Sequence, residues 1–241
     1  MVPRKVRKAI GYEVPETLAQ GEKAFIADVV AGVDLRPYLS TRLDRANLFD
    51  AMLFDFGIQH FHTSMHQHPT KPKYKARTEP ILFAFVTKTD MYCLGFFPHG
   101  AWSQQRLLDI VYENWPELLE RFAARDALAL SHSYTDDEVA SLRKAGMNTP
   151  TRRPDGTVHF GPGTGVATDG SSLIAAMKLI NLANVSKDLE RQVSGVIDRM
   201  IDDGEIPGSP ELRIEKVAER MHVRGDGVDI RLDADLLPPP L

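Results

Sequence analysis

The chain has 241 residues, enough to bury a hydrophobic core in one large domain or in two small ones. Hydrophobic residues make up 43% of the sequence and charged residues 26%, which is ordinary for a soluble globular protein. The formal net charge of −4 excludes a polycation that binds nucleic acid through the charge of the whole molecule.

The sequence carries no sign of a membrane or an oxidising compartment. No apolar run approaches the ~20 residues that a membrane span needs, and the basic start, residues 1–15, lacks the apolar core of a signal peptide. Cys93 is the single cysteine, so no internal disulfide can form. We therefore expect a cytoplasmic protein without a membrane partner.

Charge is distributed unevenly along the chain. Residues 1–125 hold 16 Lys and Arg against 14 Asp and Glu, a net charge of +2, whereas residues 126–241 hold 13 against 19, a net charge of −6. The basic residues that can hold a phosphate therefore lie mostly in the first half. The acidic second half is a candidate to bind this basic surface, in the same chain or in a second copy.

Helices and strands alternate in the first half of the chain. The spacing of apolar residues predicts amphipathic helices over residues 16–32 and 43–56, and glycines end both. An imperfect alternation predicts a short strand over 58–63, and a polar stretch with two prolines predicts a long loop over 65–77. Two nearly continuous apolar runs predict buried central strands, 80–87 and 91–97, joined by a tight turn.

A helix follows over residues 102–124, with Ser103 as its N-cap and a break at Pro116. The amino-acid composition then changes, because residues 151–170 are rich in Gly, Pro and Thr and are typical of a hairpin or linker. The remaining predicted elements are a polar helix within 132–150, helices over 171–184 and 186–203, a helix or strand over 211–223, and a final strand over 228–232.

These elements predict an α+β fold. We expect a small antiparallel sheet flanked by helices in an N-terminal domain of residues 1–125. A linker or hairpin over residues 126–170 would join it to a mostly helical C-terminal region of residues 171–241.

Four of the eight histidines lie within nine residues, at positions 60, 62, 66 and 68. Imidazole exchanges a proton near neutral pH and is a common metal ligand, so the cluster indicates either acid–base chemistry or a metal site. A basic, proline-broken run, residues 69–77, follows directly.

The predicted hairpin brings further polar residues to the same end of the sheet. If strands 80–87 and 91–97 pair antiparallel across a short turn, position 85 faces 92 and His99 lies opposite residue 77 or 78. Arg77 and His99 would then lie close together. Strand 58–63, paired antiparallel with 80–87, would add His60 and His62 to the group.

This grouping suits metal-free cleavage of RNA, which needs a base, an acid and fixed positive charge near the phosphate. The sequence therefore predicts two sets of functional residues. The catalytic set is His60, His62, Arg77 and His99, and the set that holds flanking phosphates or stacks a base is Lys71, Lys73, Tyr74 and Lys75. No cofactor is expected.

The order of helix, strand 58–63, strand 80–87 beginning after Arg77, strand 91–97 and then His99 resembles the RelE/HigB-type ribonuclease toxins, in the wider group of barnase-like and EndoU-like folds. The resemblance covers residues 43–115 and rests on element order and residue type. It implies a toxin-like endoribonuclease with RNA as substrate and an inhibitory protein partner or self-association. In such toxins the second strand of the hairpin ends in a catalytic His or Tyr.

Two other functions stay open from the residues. A metal protein would use His60, His62, His66 and His68 as ligands, although this spacing matches neither HExxH nor HxHxDH. A non-enzymatic module of the antitoxin or immunity type would use the same surface to bind a protein. In that case the histidines of the polar loop are ordinary solvated side chains.

Overall fold

The computed structural model describes residues 2–44, 50–124, 132–153, 155–165, 172–217 and 220–231. The chain divides into two compact units, Met1–Ile174 and Ala175–Leu241. The helices and strands form a mixed four-stranded sheet and smaller sheets, so the predicted α+β class is confirmed.

The first unit is built around the four-stranded sheet. Its described strands are β1 (Lys5–Lys8), β2 (Ile58–Phe61), β3 (Ile81–Val86), β4 (Asp90–Phe97) and the short pair β5 (Thr151–Arg152) and β6 (Val158–His159). Its helices are α1 (Ala19–Ala31), α2 (Ala51–Phe56), α3 (Arg106–Asn114) and α4 (Asp136–Lys144). Single turns of 3-10 helix cover Glu16–Leu18, Arg36–Tyr38, Thr41–Asp44, Ala101–Ser103, Pro116–Leu118 and Glu120–Phe122.

The strand order is β1-β4-β3-β2, and the last three strands pair antiparallel as predicted. The sheet is nevertheless mixed, which corrects the wholly antiparallel sheet expected from the sequence, because β1 pairs parallel with β4. The sequence of β1, Lys-Val-Arg-Lys, contains a single apolar residue. It therefore lacks the apolar pattern by which strands are identified, although its backbone completes one edge of the sheet.

Each face of the sheet carries its own hydrophobic core, because side chains alternate along every strand. One core joins Ile58 and Phe83 to α2 and α3. The other joins Phe61 and Leu82 to α1. Residues 58 and 60 share a face, so His60 is directed to the α3 side of the sheet, at the margin of its core.

Two predicted helices are shorter than their sequence patterns. The range 43–56 contains the end of the 3-10 turn Thr41–Asp44 and the helix α2, while residues 45–49 lie outside the described residues. The range 102–124 contains α3 and two 3-10 turns, and the predicted break at Pro116 is confirmed. Ser103 belongs to the preceding 3-10 turn, so it is not the N-cap of α3, which begins at Arg106.

The segment that follows α3 packs on the sheet within the first unit. Arg143 on α4 donates to the Asp55 carboxylate across 2.6 Å, and both side chains are buried. Arg143 also donates to the Trp102 carbonyl oxygen. The backbone N–H of Gly163 donates to the Asp55 carbonyl oxygen across 2.8 Å. The range predicted as a linker, 126–170, thus includes residues that complete the first unit.

The second unit consists of most of the helix α5 (Leu173–Asp202) and an antiparallel sheet of β7 (Arg213–Val217), β8 (Arg220–Gly225) and β9 (Val228–Arg231). One helix therefore replaces the two predicted over 171–184 and 186–203. Residues 213–217 and 220–225 are strands, which resolves the helix-or-strand alternative. Ile197, Ile206 and Val228 form a small core in this unit.

None of the helices in the described ranges combines the length and the apolar character that a transmembrane segment requires.

Candidate functional site

Three histidines meet at one end of the sheet in the first unit. His60 lies on β2, His62 follows that strand, and His99 follows β4. The ring centres of His60 and His62 are 6.0 Å apart, and those of His62 and His99 are 5.8 Å apart with nearly parallel planes. The sequence prediction that these side chains approach one another agrees with this geometry.

The chain that carries His62 is held close to α1. A Cβ atom on Gly21 of α1 would lie 1.6 Å from the carbonyl oxygen of Thr63, so the helix approaches this segment only because residue 21 has no side chain. The His62 backbone N–H donates to the Tyr38 carbonyl oxygen across 2.7 Å. The backbone on both sides of the His62 ring is therefore firmly positioned.

His62 is 3% exposed, and its ring has one defined hydrogen bond. The backbone N–H of Thr78 donates to His62 Nδ1 across 3.2 Å. Burial is the main cause that lowers the pKa of His62 to about 4, and the neighbouring His60 and His99 lower it further. His62 is therefore neutral at physiological pH.

His60 packs among aromatic rings instead. Its ring centre is 4.6 Å from that of Trp102 and 6.3 Å from that of Phe83. Its Nδ1 atom is buried and has no hydrogen-bond partner among the described residues. Burial, followed by the influence of His99 and Arg42, lowers the pKa of His60 to about 4.

The β3–β4 hairpin keeps the predicted register only near its turn. Phe85 pairs with Tyr92 as expected, but the register shifts by one residue between Phe83 and Ala84. Such a bulge sets two residues of one strand opposite one of the other. His99, two residues beyond the end of β4, contacts Glu79 instead of residue 77 or 78, which corrects the predicted pairing with Arg77.

Glu79 holds His99 through both of its carboxylate oxygens. The backbone N–H of His99 donates to Glu79 Oε1 across 3.0 Å, and His99 Nδ1 lies 3.1 Å from Glu79 Oε2. The Trp102 ring stands edge-on to the His99 ring at 5.3 Å between centres. The imidazole is thus fixed from its backbone, its Nδ1 atom and one side.

Arg77 does not contact His99 by a hydrogen bond, but both residues line the same cavity. Within the described ranges, the Arg77 guanidinium forms no hydrogen bond or ion pair, and the same holds for Arg42, which also lines the cavity. Two exposed guanidinium groups are thus available to an anion that enters.

The cavity has a volume of about 610 Å³, and its lining combines polar and apolar side chains. The titratable and cationic side chains of the lining are Arg42, Asp50, His60, His62, Arg77 and His99. The mostly apolar ones are Leu39, Leu43, Met52, Leu53, Phe54 and Trp102. The Asp50 carboxylate accepts from the Leu53 backbone N–H across 3.0 Å at the start of α2, and burial raises its pKa.

The basic loop, residues 69–77, contacts Asp44 through three of the residues predicted to bind substrate. Lys71 Nζ lies 3.0 Å and Lys73 Nζ 2.7 Å from the Asp44 carboxylate, and the Tyr74 hydroxyl donates to it across 2.8 Å. Lys75 lies over the Tyr38 ring at 5.5 Å.

None of these four residues lines the cavity in the described part of the chain. Tyr74 is 5% exposed, so its ring is not open to a stacking base in this conformation. Substrate binding by the lysines stays a prediction.

His66 and His68 lie away from the three clustered rings, in the outer part of the loop. The His66 side chain is exposed, and His68 Nδ1 lies 3.3 Å from the Thr70 backbone nitrogen. In the ranges that the structure describes, no three His, Cys, Asp or Glu side chains are grouped as metal ligands would be. The four-histidine set considered from the sequence is therefore not assembled here.

Glu79, Arg42, Asp50 and Trp102 are the cavity and site residues that sequence reasoning missed. Trp102 packs against the core and also faces the histidines. Glu79 gave no signal, because it lies outside the predicted strands. Arg42 and Asp50 gave no signal either, because Arg42 directly precedes the predicted helix 43–56 and Asp50 lies within it.

Comparison with protein families, curated proteins and solved structures found no match for this chain. The resemblance to RelE/HigB-type toxins therefore stays a prediction. Inferences about function depend on the geometry of the cavity.

Proposed function

We propose that this chain is a metal-independent endoribonuclease whose active site is the cavity at the end of the sheet. One observation carries the proposal: three imidazoles and Arg77, from three separate segments of the chain, line a single cavity. Groups that exchange protons and groups that hold a phosphate are thereby available to the same bound molecule.

The chemistry of RNA cleavage requires such a set. A base takes the proton of the 2′-hydroxyl, the 2′-oxygen attacks phosphorus, and the leaving 5′-oxygen receives a proton. Positive charge stabilises the crowded phosphorane that forms between these steps. Imidazole is suited to the proton transfers, and Arg77 is suited to bidentate contact with the phosphate oxygens.

The charges around the cavity favour an anionic substrate. Arg42 and Arg77 make no ion pair within the described ranges, whereas the neighbouring basic side chains Lys71 and Lys73 are paired with Asp44. An anion would therefore gain contacts with the two guanidinium groups.

The apolar side chains of the lining support a nucleotide over a bare phosphate. A cavity of about 610 Å³ lies within the range of about 300–1,000 Å³ that is usual for small-molecule sites. The side chain of Leu43 is 41% exposed beside Arg42. A planar base can cover this apolar surface while its phosphate reaches the imidazole and guanidinium groups.

The test is cleavage of a labelled RNA by purified protein in excess EDTA. We expect products with a 2′,3′-cyclic phosphate and a 5′-hydroxyl, and no cleavage of the same oligomer made with 2′-deoxyribose. His99→Ala and Arg77→Ala should each reduce the rate by on the order of 10²-fold or more. His132→Ala and Arg191→Ala are matched controls, because both residues are exposed and form ion pairs outside the cavity.

Three results would contradict the proposal. RNA that stays intact under all metal conditions would favour the non-enzymatic alternative, in which the cavity surface binds a protein. Activity that EDTA abolishes would favour a metal protein, and His60→Ala and His62→Ala should then mimic chelation. Full activity in both the His99 and the Arg77 variants would place the active site elsewhere.

A further inference from the structure

Two consecutive residues, Thr78 and Glu79, contact two different histidines of the cavity. Thr78 uses its backbone N–H and Glu79 its carboxylate, and both reach a Nδ1 atom. A backbone N–H can only donate a hydrogen bond, whereas an ionised carboxylate can only accept one. The two contacts therefore impose opposite protonation patterns on the two rings.

His62 must accept at Nδ1, because the Thr78 N–H points a hydrogen at that atom across 3.2 Å. Its single ring proton is consequently on Nε2. A second proton on Nδ1 would face the Thr78 hydrogen and break the bond, so His62 resists protonation. The pKa of His62, lowered to about 4 chiefly by burial, agrees with a ring that stays neutral.

His99 has the reverse arrangement. Its Nδ1 atom lies 3.1 Å from the Glu79 carboxylate and carries the proton that the carboxylate accepts. The lone pair of the neutral ring is then on Nε2. The Nε2 atom of this ring can therefore accept a proton from another group while Nδ1 keeps its bond to Glu79.

We infer that Thr78 and Glu79 divide the roles of the two histidines, with His99 as the group that takes and returns the proton and His62 as a neutral hydrogen-bond donor to the phosphate. Glu79 is a positioning residue that acts through His99. This assignment of roles rests on the proposed ribonuclease function, while the tautomers themselves do not.

The reaction balances with His99 as the only proton carrier. His99 Nε2 takes the proton of the 2′-hydroxyl as the bond between the 2′-oxygen and phosphorus forms. The bond between phosphorus and the 5′-oxygen breaks, and the same proton passes from His99 to the 5′-oxygen. The products are a 2′,3′-cyclic phosphate and a 5′-hydroxyl, and His99 is neutral again.

The β3–β4 hairpin brings the partner residues to the site. Ile81 pairs with Phe97 at its open end, so Thr78 and Glu79 lie just before β3 and His99 lies just after β4.

The first test is the tautomer of each ring, measured by ¹⁵N NMR of the imidazole nitrogens at a pH near 7.5 in the full-length protein. We expect a proton on Nε2 of His62 and on Nδ1 of His99. Glu79→Ala should release His99 to a mixture of tautomers and leave His62 unchanged. Glu113→Ala is the matched control, since Glu113 is an exposed carboxylate paired with Arg106.

The second test is the dependence of RNA cleavage on pH. The ionisable groups around His99 are Glu79, His60, His62 and Arg77. With one proton carrier, the rate should rise with pH to a plateau, whereas a histidine acid–base pair gives a bell-shaped profile. His62→Ala should lower the rate on the order of tenfold without changing the shape of the profile.

Glu79→Ala should lower kcat by on the order of tenfold or more and leave KM nearly unchanged, and Glu79→Gln should restore only part of kcat, because an amide accepts a hydrogen bond without a charge.

These tests separate the two proposals. A proton on Nε2 of His99, or on Nδ1 of His62, in the wild-type protein overturns the inference even where RNA is cleaved. A bell-shaped profile that His62→Ala abolishes also overturns it, because His62 would then supply the acid. The expected tautomers in a protein that cleaves no RNA would refute the ribonuclease function and the assigned roles, while the tautomers would stand as a structural finding.

Discussion

At the scale of single residues, the surroundings of His60 and His62 hold both rings in the neutral form. Both rings are largely enclosed, and neither is paired with a carboxylate in the described part of the chain. Burial lowers the pKa of each to about 4, from an ordinary value of 6.5. The folded protein therefore binds these two protons more weakly than the unfolded chain.

Stability should fall as the pH drops from about 6.5 to about 4, because unfolding then takes up protons at His60 and His62. Their contribution is fully present above pH 6.5 and is lost as the pH falls through the folded pKa of about 4. The combined loss should be a few kcal/mol, on the order of magnitude given by linkage. Urea unfolding at several pH values measures it.

The variant His60→Gln/His62→Gln should flatten this part of the stability profile, and His132→Ala should not. Carboxylates with a lowered pKa, such as Asp229, lose their contribution only below about pH 4, which separates the two effects. An equally steep profile in the double variant would show that other groups cause the loss.

The sequence predicted which histidines approach one another but not what they bond to. His60 and His62 follow from two-residue alternation along one strand, and His99 follows from the hairpin. Glu79 as the partner of His99 depends on how the chain leaves β3 and β4 beyond their paired residues, which the sequence pattern does not indicate. Arg42 reaches the cavity from a 3-10 turn just before the predicted helix 43–56.

At the scale of secondary-structure elements, the basic loop is ordered by a single carboxylate. Asp44 forms ion pairs with Lys71 and Lys73 and accepts a hydrogen bond from the Tyr74 hydroxyl. These contacts hold the pKa of Asp44 far below its ordinary value. Asp44 also ends the 3-10 turn that carries Arg42 and Leu43 of the cavity wall. The loop and one wall of the cavity are therefore tied together.

Asp44→Asn should loosen the loop without unfolding the first unit. The amide cannot pair with two ammonium groups, so local backbone bonds, such as Lys75 N–H to the Pro37 carbonyl at 2.7 Å, should open more often. Faster hydrogen exchange at Lys75 and Ala76 would report this. Asp34→Asn, which removes an exposed pair with Arg36, is the control and should leave these amides unchanged.

Unchanged exchange at Lys75 and Ala76 in the Asp44→Asn variant would show that backbone contacts alone order the loop. General acceleration across β3 and β4 would instead show that Asp44 supports the whole unit. Either result would contradict the local role assigned to this carboxylate.

The strands were predictable where apolar runs carry the signal, as in β3 and β4, and the predicted break at Pro116 follows from the geometry of proline. The edge strand β1 was missed because pairing through the backbone alone imposes no side-chain pattern on Lys5–Lys8. Elements defined by side-chain burial were recognisable, and those defined by backbone pairing were not.

At the scale of the whole molecule, the first unit extends beyond residue 125, where the predicted N-terminal domain ends. Composition predicted a domain of residues 1–125 and a linker over 126–170. Yet Arg143 is 5% exposed and lies over the Phe56 ring at 3.9 Å, and Val139 is fully buried in the core beside α3. Gly- and Pro-rich composition describes turns, and turns can be as well packed as any other segment.

A chain of residues 1–174 should therefore unfold cooperatively, whereas residues 1–125 alone should not. Truncation at 125 removes Arg143 and leaves the Asp55 carboxylate buried without its cation, at a cost of about 3–5 kcal/mol. It also exposes apolar surface of α2 and α3 that α4 covers. Thermal unfolding followed by circular dichroism compares the two fragments, and Asp55→Ala in the full chain isolates the contribution of the ion pair.

Removing the exposed pair of Arg191 and Asp188 should cost less than about 1 kcal/mol and serves as the control for Asp55→Ala. RNA cleavage by residues 1–174 should match that of the full chain, because every cavity residue described here precedes residue 103. A fragment of residues 1–125 that unfolds as cooperatively and at the same temperature as 1–174 would establish the boundary at 125. In that case α4 would not be needed for the folding of the N-terminal domain, and the Arg143–Asp55 pair would contribute nothing measurable to the stability of that domain.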